Sequence, residues 1–326
     1  MLNPLQQPLQ PVLQPDAGTA VWRGFVHVIR HAIPLDVDPT SRLLRPGVDA
    51  DHRVRSLQVP IGEHTSPGHL FLPKQGNGGT VLLAHGTTAE KVLPYYFFIR
   101  ALLQRGFAVM TFELDGHGDN PRPLCPGGIA ENVPSALAFL REQPEIDPAR
   151  IGLMGVSMGG ACAINAAGRD AVKCVAAVST PHWVSMDDWD KVLEMLGTLN
   201  PELLGSCFEA TPNHMLAFLN SAMRVAPTLA HPAEEMELLH PGTIDVINRV
   251  LHQLDPLGNA TQLGDTPLLV VNGEWDNITP SWQARDIYEH ASGPKSCALI
   301  PRRNHFTIMT STRAVRAVVD WFERWL

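Results

Sequence analysis

No run of basic residues interrupts this 326-residue chain, and its 25 Lys and Arg against 33 Asp and Glu leave a formal charge of −8. That balance argues against nucleic acid and anionic membrane surfaces as main partners, since both reward clustered cations. Cys-x-x-Cys spacing is missing as well, and the five cysteines (Cys125, Cys162, Cys174, Cys207 and Cys297) are scattered. An odd, dispersed set reads as reduced thiols, not as a disulfide framework or zinc site, and places the expectation in a reducing cytoplasm. There is no His-Glu-x-x-His, no Gly-Lys-Ser/Thr phosphate loop and no Gly-x-Gly-x-x-Gly opening a helix, so no metal, nucleotide or other cofactor is implied. Apolar runs long enough to span a bilayer are lacking, and Met1–Pro8 has no basic start of the secretory kind.

What remains is ordinary globular material, 44% hydrophobic and 18% charged, enough for one large domain with a sizeable core. Residues 1–18 read as a flexible Pro/Gln-rich arm. Val21–Ile33 has apolar residues at roughly helical spacing and is expected to cover the domain as a surface helix. A membrane-touching role is the alternative, weakened by a basic face of only Arg23, Arg30, His27 and His31.

From Arg53 onward, short apolar runs alternate with helical patterns. Strands are expected at Ser56–Pro60 and His69–Leu72, joined by a turn at Ser66-Pro67-Gly68, and then at Thr80–Ala84, Phe107–Phe112, Arg150–Met154 and Cys174–Ser179. Helices are expected at Glu90–Gln104, Gly128–Glu142 and Met158–Gly168. Such alternation implies a parallel sheet covered by helices. It stops between residues 181 and 256, where helical patterns dominate, and resumes with strands at Pro267–Asn272 and Ser296–Ile300 and helices at Ser281–His290 and Ser311–Leu326. The core therefore reads as residues 19–180 and 257–326, with a helical cap inserted at 181–256. Trp183, Met186, Trp189, Phe208, Met215 and Phe218 in that insertion could supply an adaptable apolar wall facing a site.

The chemistry centres on Gly155-Val156-Ser157-Met158-Gly159, at the junction of a strand and an Ala-rich helix. A serine on so sharp a turn needs glycines two positions away, and the following helix N-terminus favours developing negative charge. Serine alone is a poor nucleophile, so a base and an acid to orient that base must come from other loops at the same edge of the sheet. Asp276 follows the strand at Leu268–Asn272, and His305 follows the strand at Ser296–Ile300. His290, His252 and His240 compete for the base, but only His305 follows the last strand in a loop. Glu274 competes for the acid. His85 and His117 read as braces for loops, and Glu113 as a strand-end charge paired locally.

The order Ser157, Asp276, His305 resembles the α/β-hydrolase superfamily from about Arg53 to the C-terminus. That resemblance implies a mostly parallel eight-stranded sheet flanked by helices, with the nucleophile after the fifth strand and a helical cap inserted. His85-Gly86-Thr87 looks like the family's oxyanion loop, which would set the backbone N–H groups of Thr87 and Met158 on the oxyanion. Asp115-Gly116-His117-Gly118 is similar to a family signature, although Asn120 stands where a serine is frequent. The family's Asp-x-x-x-Pro spacing favours Asp276 over Glu274.

The expectation is a cofactor-independent serine esterase for small-molecule esters with an apolar acyl or alcohol group, without stable membrane insertion; its oligomeric state is left open. Thioester or amide hydrolysis, C–C cleavage and acyl transfer use the same triad, and a non-catalytic ligand-binding protein on the same fold is the alternative of another class.

Overall fold

A computed structural model describes residues 52–87, 95–117, 120, 122, 124, 126–184, 241–276, 278–305 and 307–326. The expected arm at 1–18, the covering helix Val21–Ile33 and most of the cap lie outside these residues.

Eight strands form one sheet in the order β1-β2-β4-β3-β5-β6-β7-β8. They are β1 (His52–Ile61), β2 (His64–Pro73), β3 (Thr80–Ala84), β4 (Ala108–Phe112), β5 (Ile151–Val156), β6 (Val175–Val178), β7 (Leu268–Gly273) and β8 (Lys295–Ile300). The first two are an antiparallel hairpin, β2 meets β4 antiparallel, and every pairing from β4 to β8 is parallel. The central strands β3 to β7 are buried along their whole length, which is why they read as continuous apolar runs. Alternate side chains go to opposite faces, with Leu82 and Ala84 in one core cluster and Val81 and Leu83 in the other.

The helices are α1 (Tyr96–Gln104), α2 (Pro126–Ile129), α3 (Asn132–Arg141), α4 (Met158–Arg169), α5 (Pro241–Leu254), α6 (Pro256–Gln262), α7 (Ser281–His290) and α8 (Thr312–Trp325). One face of the sheet carries buried residues of α3 to α7, such as Leu137, Ile164, Leu251, Ala260 and Ile287. The other is covered by α1 and α8 through Phe98, Leu102, Val318 and Phe322.

Two expectations need correction. The turn expected at Ser66-Pro67-Gly68 is inside β2, and the chain reverses at Gly62-Glu63, where Gly62 takes φ +59° as the first residue of a two-residue hairpin turn. Pro67 cannot donate from its backbone, yet the ladder closes around it. Its carbonyl accepts the Glu113 N–H at 3.0 Å, while the Glu113 carbonyl takes the Ser66 hydroxyl at 2.6 Å and Asn120 Nδ2 at 3.1 Å in place of the missing proline donor. The single helix expected at Gly128–Glu142 is two, α2 and α3, separated at Ala130-Glu131.

The expected insertion is described at its two ends. Residues 181–184 leave β6, and α5 returns, packing on α2 and α4. Asn248 of α5 clasps the outgoing chain: its Oδ1 accepts the Val184 N–H at 2.9 Å and its Nδ2 donates to the Val184 carbonyl at 2.8 Å.

Candidate active site

Because β5, β7 and β8 are parallel, the loops that follow them share one edge of the sheet. Ser157 stands there between β5 and α4, with φ 52° and ψ −125°, a conformation that a non-glycine residue adopts only when its surroundings enforce it. The enforcement is visible. Ser157 N–H donates to the Val178 carbonyl of β6 at 2.8 Å, and the Ser157 carbonyl accepts from Gly160 N–H at 2.9 Å. A side chain at Gly155 would strike the backbone of Gly159, and one at Gly159 would strike the carbonyls of Ala84 and His85. The glycines that the motif requires are thus spaces into which backbone is packed.

The loop after β3 presses on this elbow. A Cβ on Gly86 would lie 3.0 Å from Cβ of Ser157, and Thr87 Oγ1 donates to Met158 Sδ at 3.4 Å. Thr87 and Met158 are therefore neighbours beside the serine. As the first residue of α4, Met158 has no intrahelical acceptor for its N–H. Tyr95, buried at the start of α1, fixes the loop from behind by accepting the Gly86 N–H at 2.7 Å.

Asp276 and His305 meet. His305 Nδ1 lies 3.0 Å from Asp276 Oδ2 and 3.2 Å from Oδ1, with both side chains buried. The carboxylate also accepts from the N–H groups of Ile278 (3.1 Å) and Thr279 (2.8 Å) on Oδ1, and from the Thr279 hydroxyl (2.8 Å) on Oδ2. Burial alone would raise its pKa; the His305 charge and the hydrogen bonds from His305 and Thr279 outweigh burial and hold the carboxyl below its usual range. Glu274 is exposed in the same loop. Among the other histidines weighed as bases, His290 is exposed and bonded to the Asp286 carbonyl, His252 is exposed on α5, and His240 lies outside the described residues.

His85 and His117 are braces, as expected. His85 Nε2 accepts the Leu114 N–H at 2.9 Å, so its Nδ1 carries the proton given to the Gly86 carbonyl at 2.8 Å. His117 bonds the Asp115 carbonyl at 2.9 Å and meets the His85 ring edge-on at 4.9 Å. Burial, aided by His85, lowers its pKa from 6.5 to about 3. Glu113 is buried with Oε2 3.3 Å from His85 Nε2. Asn120 helps to close the loop after β4 through Asp115 Oδ1 at 3.2 Å and the Arg122 N–H at 3.0 Å.

Sequence reasoning missed Thr279 and Tyr95. Thr279 had a readable signal, because an Asp followed two and three residues later by free backbone donors and a hydroxyl is disposed to fold a local side-chain turn. Tyr95 had none, since nothing in its spacing from Gly86 marks the contact.

The whole arrangement matches the sequence profile of the alpha/beta hydrolase family over residues 81–321. The chain belongs to that family. Among the relatives of this alpha/beta hydrolase is the thiohydrolase aneE of Aspergillus aculeatus, 26% identical over 265 residues that cover 74% of this chain and 83% of that protein. The polyketide transferase claH of Penicillium crustosum is 22% identical over 282 residues, covering 76% and 88%. Of solved structures, a meta-cleavage product hydrolase from Pseudomonas fluorescens superposes with a TM-score of 0.62 at 19% identity, covering 83% and 97%. An esterase from Pyrococcus furiosus gives 0.59 at 17% identity, covering 90% and 96%. At these identities the superpositions speak for the fold. Among the described residues no helix is long and apolar enough to cross a membrane.

Proposed function

We propose that this alpha/beta hydrolase is a serine esterase for carboxylic esters with an apolar acyl or alcohol group. The observation that carries the reading is the buried Asp276–His305 hydrogen bond, set on the same sheet edge as the strained elbow at Ser157. Ser157 Oγ attacks the ester carbonyl as His305 Nε2 takes its proton, and the N–H groups of Thr87 and Met158 receive the oxyanion. The C–O bond breaks as His305 returns the proton to the departing alcohol. Water then attacks the acyl-serine by the same route, yielding the acid and free Ser157. Asp276 keeps the Nδ1 proton in place and balances the imidazolium.

The apolar selection is assigned to the insertion 181–256, whose outgoing and returning ends meet at the Val184–Asn248 clasp. A reducing, cytoplasmic setting is part of the reading, in keeping with Cys162 and Cys174 as buried free thiols.

A second reading, thioester cleavage or acyl transfer on the same residues, is favoured by the relatives named as a thiohydrolase and a polyketide transferase. One panel separates the two: kcat/KM for p-nitrophenyl esters of graded acyl length beside acyl thioesters, with and without an alcohol acceptor. Ser157→Ala is expected to lower kcat by at least about 10⁴-fold and to abolish fluorophosphonate labelling while the protein stays folded. Retention of a few per cent of activity in that variant would place the nucleophile elsewhere. Folded wild type that takes no label at Ser157 would favour the ligand-binding alternative.

A further inference from the structure

Thr279 is fully buried in the loop after β7, and its hydroxyl closes a triangle with the two groups that orient the base. Its Oγ1 lies 2.8 Å from Asp276 Oδ2 and 3.2 Å from His305 Nδ1, and those two atoms are 3.0 Å apart. A hydroxyl has one proton to give and lone pairs to receive with, whereas an ionised carboxylate only accepts. The proton therefore goes to Asp276, and a lone pair of the same oxygen faces the Nδ1 proton of His305. The corner itself is fixed. Thr279 N–H donates to Asp276 Oδ1 at 2.8 Å, and its carbonyl accepts Asn272 Nδ2 of β7 at 2.9 Å.

We infer that Thr279 is a positioning residue of the site, its hydroxyl locking the Asp276 carboxylate and the Nδ1 face of His305 into one orientation from the β7 strand. The inference rests on the serine-hydrolase reading above. Without the hydroxyl, Oδ2 loses its only donor other than the imidazole among the described bonds, and Nδ1 of the imidazole is left with the two carboxylate oxygens of Asp276. Both are then freer to rotate out of the orientation that the proposed proton transfer from Ser157 requires of His305. Substrate binding makes no use of a group buried behind the acid, so the loss falls on the chemical step.

The methyl and the hydroxyl of Thr279 separate by substitution. Thr279→Val keeps the shape and removes the hydroxyl; Thr279→Ser keeps the hydroxyl and removes the methyl. The readouts are kcat and KM on the best ester or thioester of the panel and the second-order rate of fluorophosphonate labelling at Ser157. The Val variant is expected to lose about ten- to a hundredfold in kcat and in labelling rate, the worth of one hydrogen bond to a charged group, with KM within about twofold of wild type. The Ser variant should stay within about threefold of wild type. If the Val protein does not fold, Ser against Ala makes the same comparison, since both lack the methyl and differ in the hydroxyl alone. Equal kcat and labelling rates in wild type and Val, or equal losses in Val and Ser or in Ser and Ala, overturn the inference while leaving the serine-hydrolase reading intact. Folded wild type that takes no label at Ser157 overturns both.

Discussion

A neutral imidazole at His117 has its own consequence for stability. The folded chain holds this ring uncharged down to about pH 3, while the unfolded chain protonates it near 6.5. Between those values the unfolded state binds more protons, so the folded state loses stability as pH falls, with a slope of at most about 1.4 kcal/mol per pH unit from this group. Urea unfolding at steps from pH 7 to pH 4 should show that slope in wild type and a shallower one in His117→Gln, which cannot take up the proton. Identical slopes would mean that some other group controls acid sensitivity. Asp276 works in the same direction at lower pH. Its carboxyl is held below the ordinary value, so its contribution is complete above that value and lost as pH drops through the depressed one.

Among elements, α4 has little freedom of placement, because its first turn lies against the backbone at the end of β3. Gly159→Ala should therefore cost at least about 2 kcal/mol, since carbonyls cannot move aside as side-chain tips can. Gly127→Ala in α2 is the converse case. Nothing lies within 4 Å of the added methyl, and a gain of about 0.5–1 kcal/mol is expected from the stiffer unfolded chain. Urea midpoints of the two variants should move in opposite directions. The same elements show what could be read from sequence. Strands such as Val81–Leu83 and Val270–Val271 are apolar on both faces and declare themselves, and Gly155 and Gly159 declare the elbow between strand and helix. The hairpin turn was not legible, because Ser66-Pro67-Gly68 carries stronger turn chemistry than Gly62-Glu63. The pairing with Leu57–Val59 of β1 and the approach of Glu113 just past β4, with the Ser66 hydroxyl standing in for the proline donor, keep that stretch extended. Asp276 and His305 could be named from their order after β7 and β8; Thr279 was readable as a local turn beside Asp276, but its approach to His305 is set by the fold and by no spacing rule.

At the scale of the whole molecule, the clasp between Val184 and Asn248 ties together the two ends of the segment that runs from β6 to α5, closing it into a loop. Closing such a loop costs free energy that grows only with the logarithm of its length, so halving it changes the cost by about 0.6 kcal/mol. The core with a short Gly/Ser bridge between Val184 and Pro241, which keeps α5 and its clasp, is expected to fold and to take fluorophosphonate at Ser157, with a flattened dependence of kcat/KM on acyl length. An unchanged chain-length profile would remove the insertion from substrate selection. On the proposed function the clasp makes the molecule modular: the chemistry belongs to the core, and selectivity is expected to be exchangeable by grafting a different segment between Val184 and Asn248.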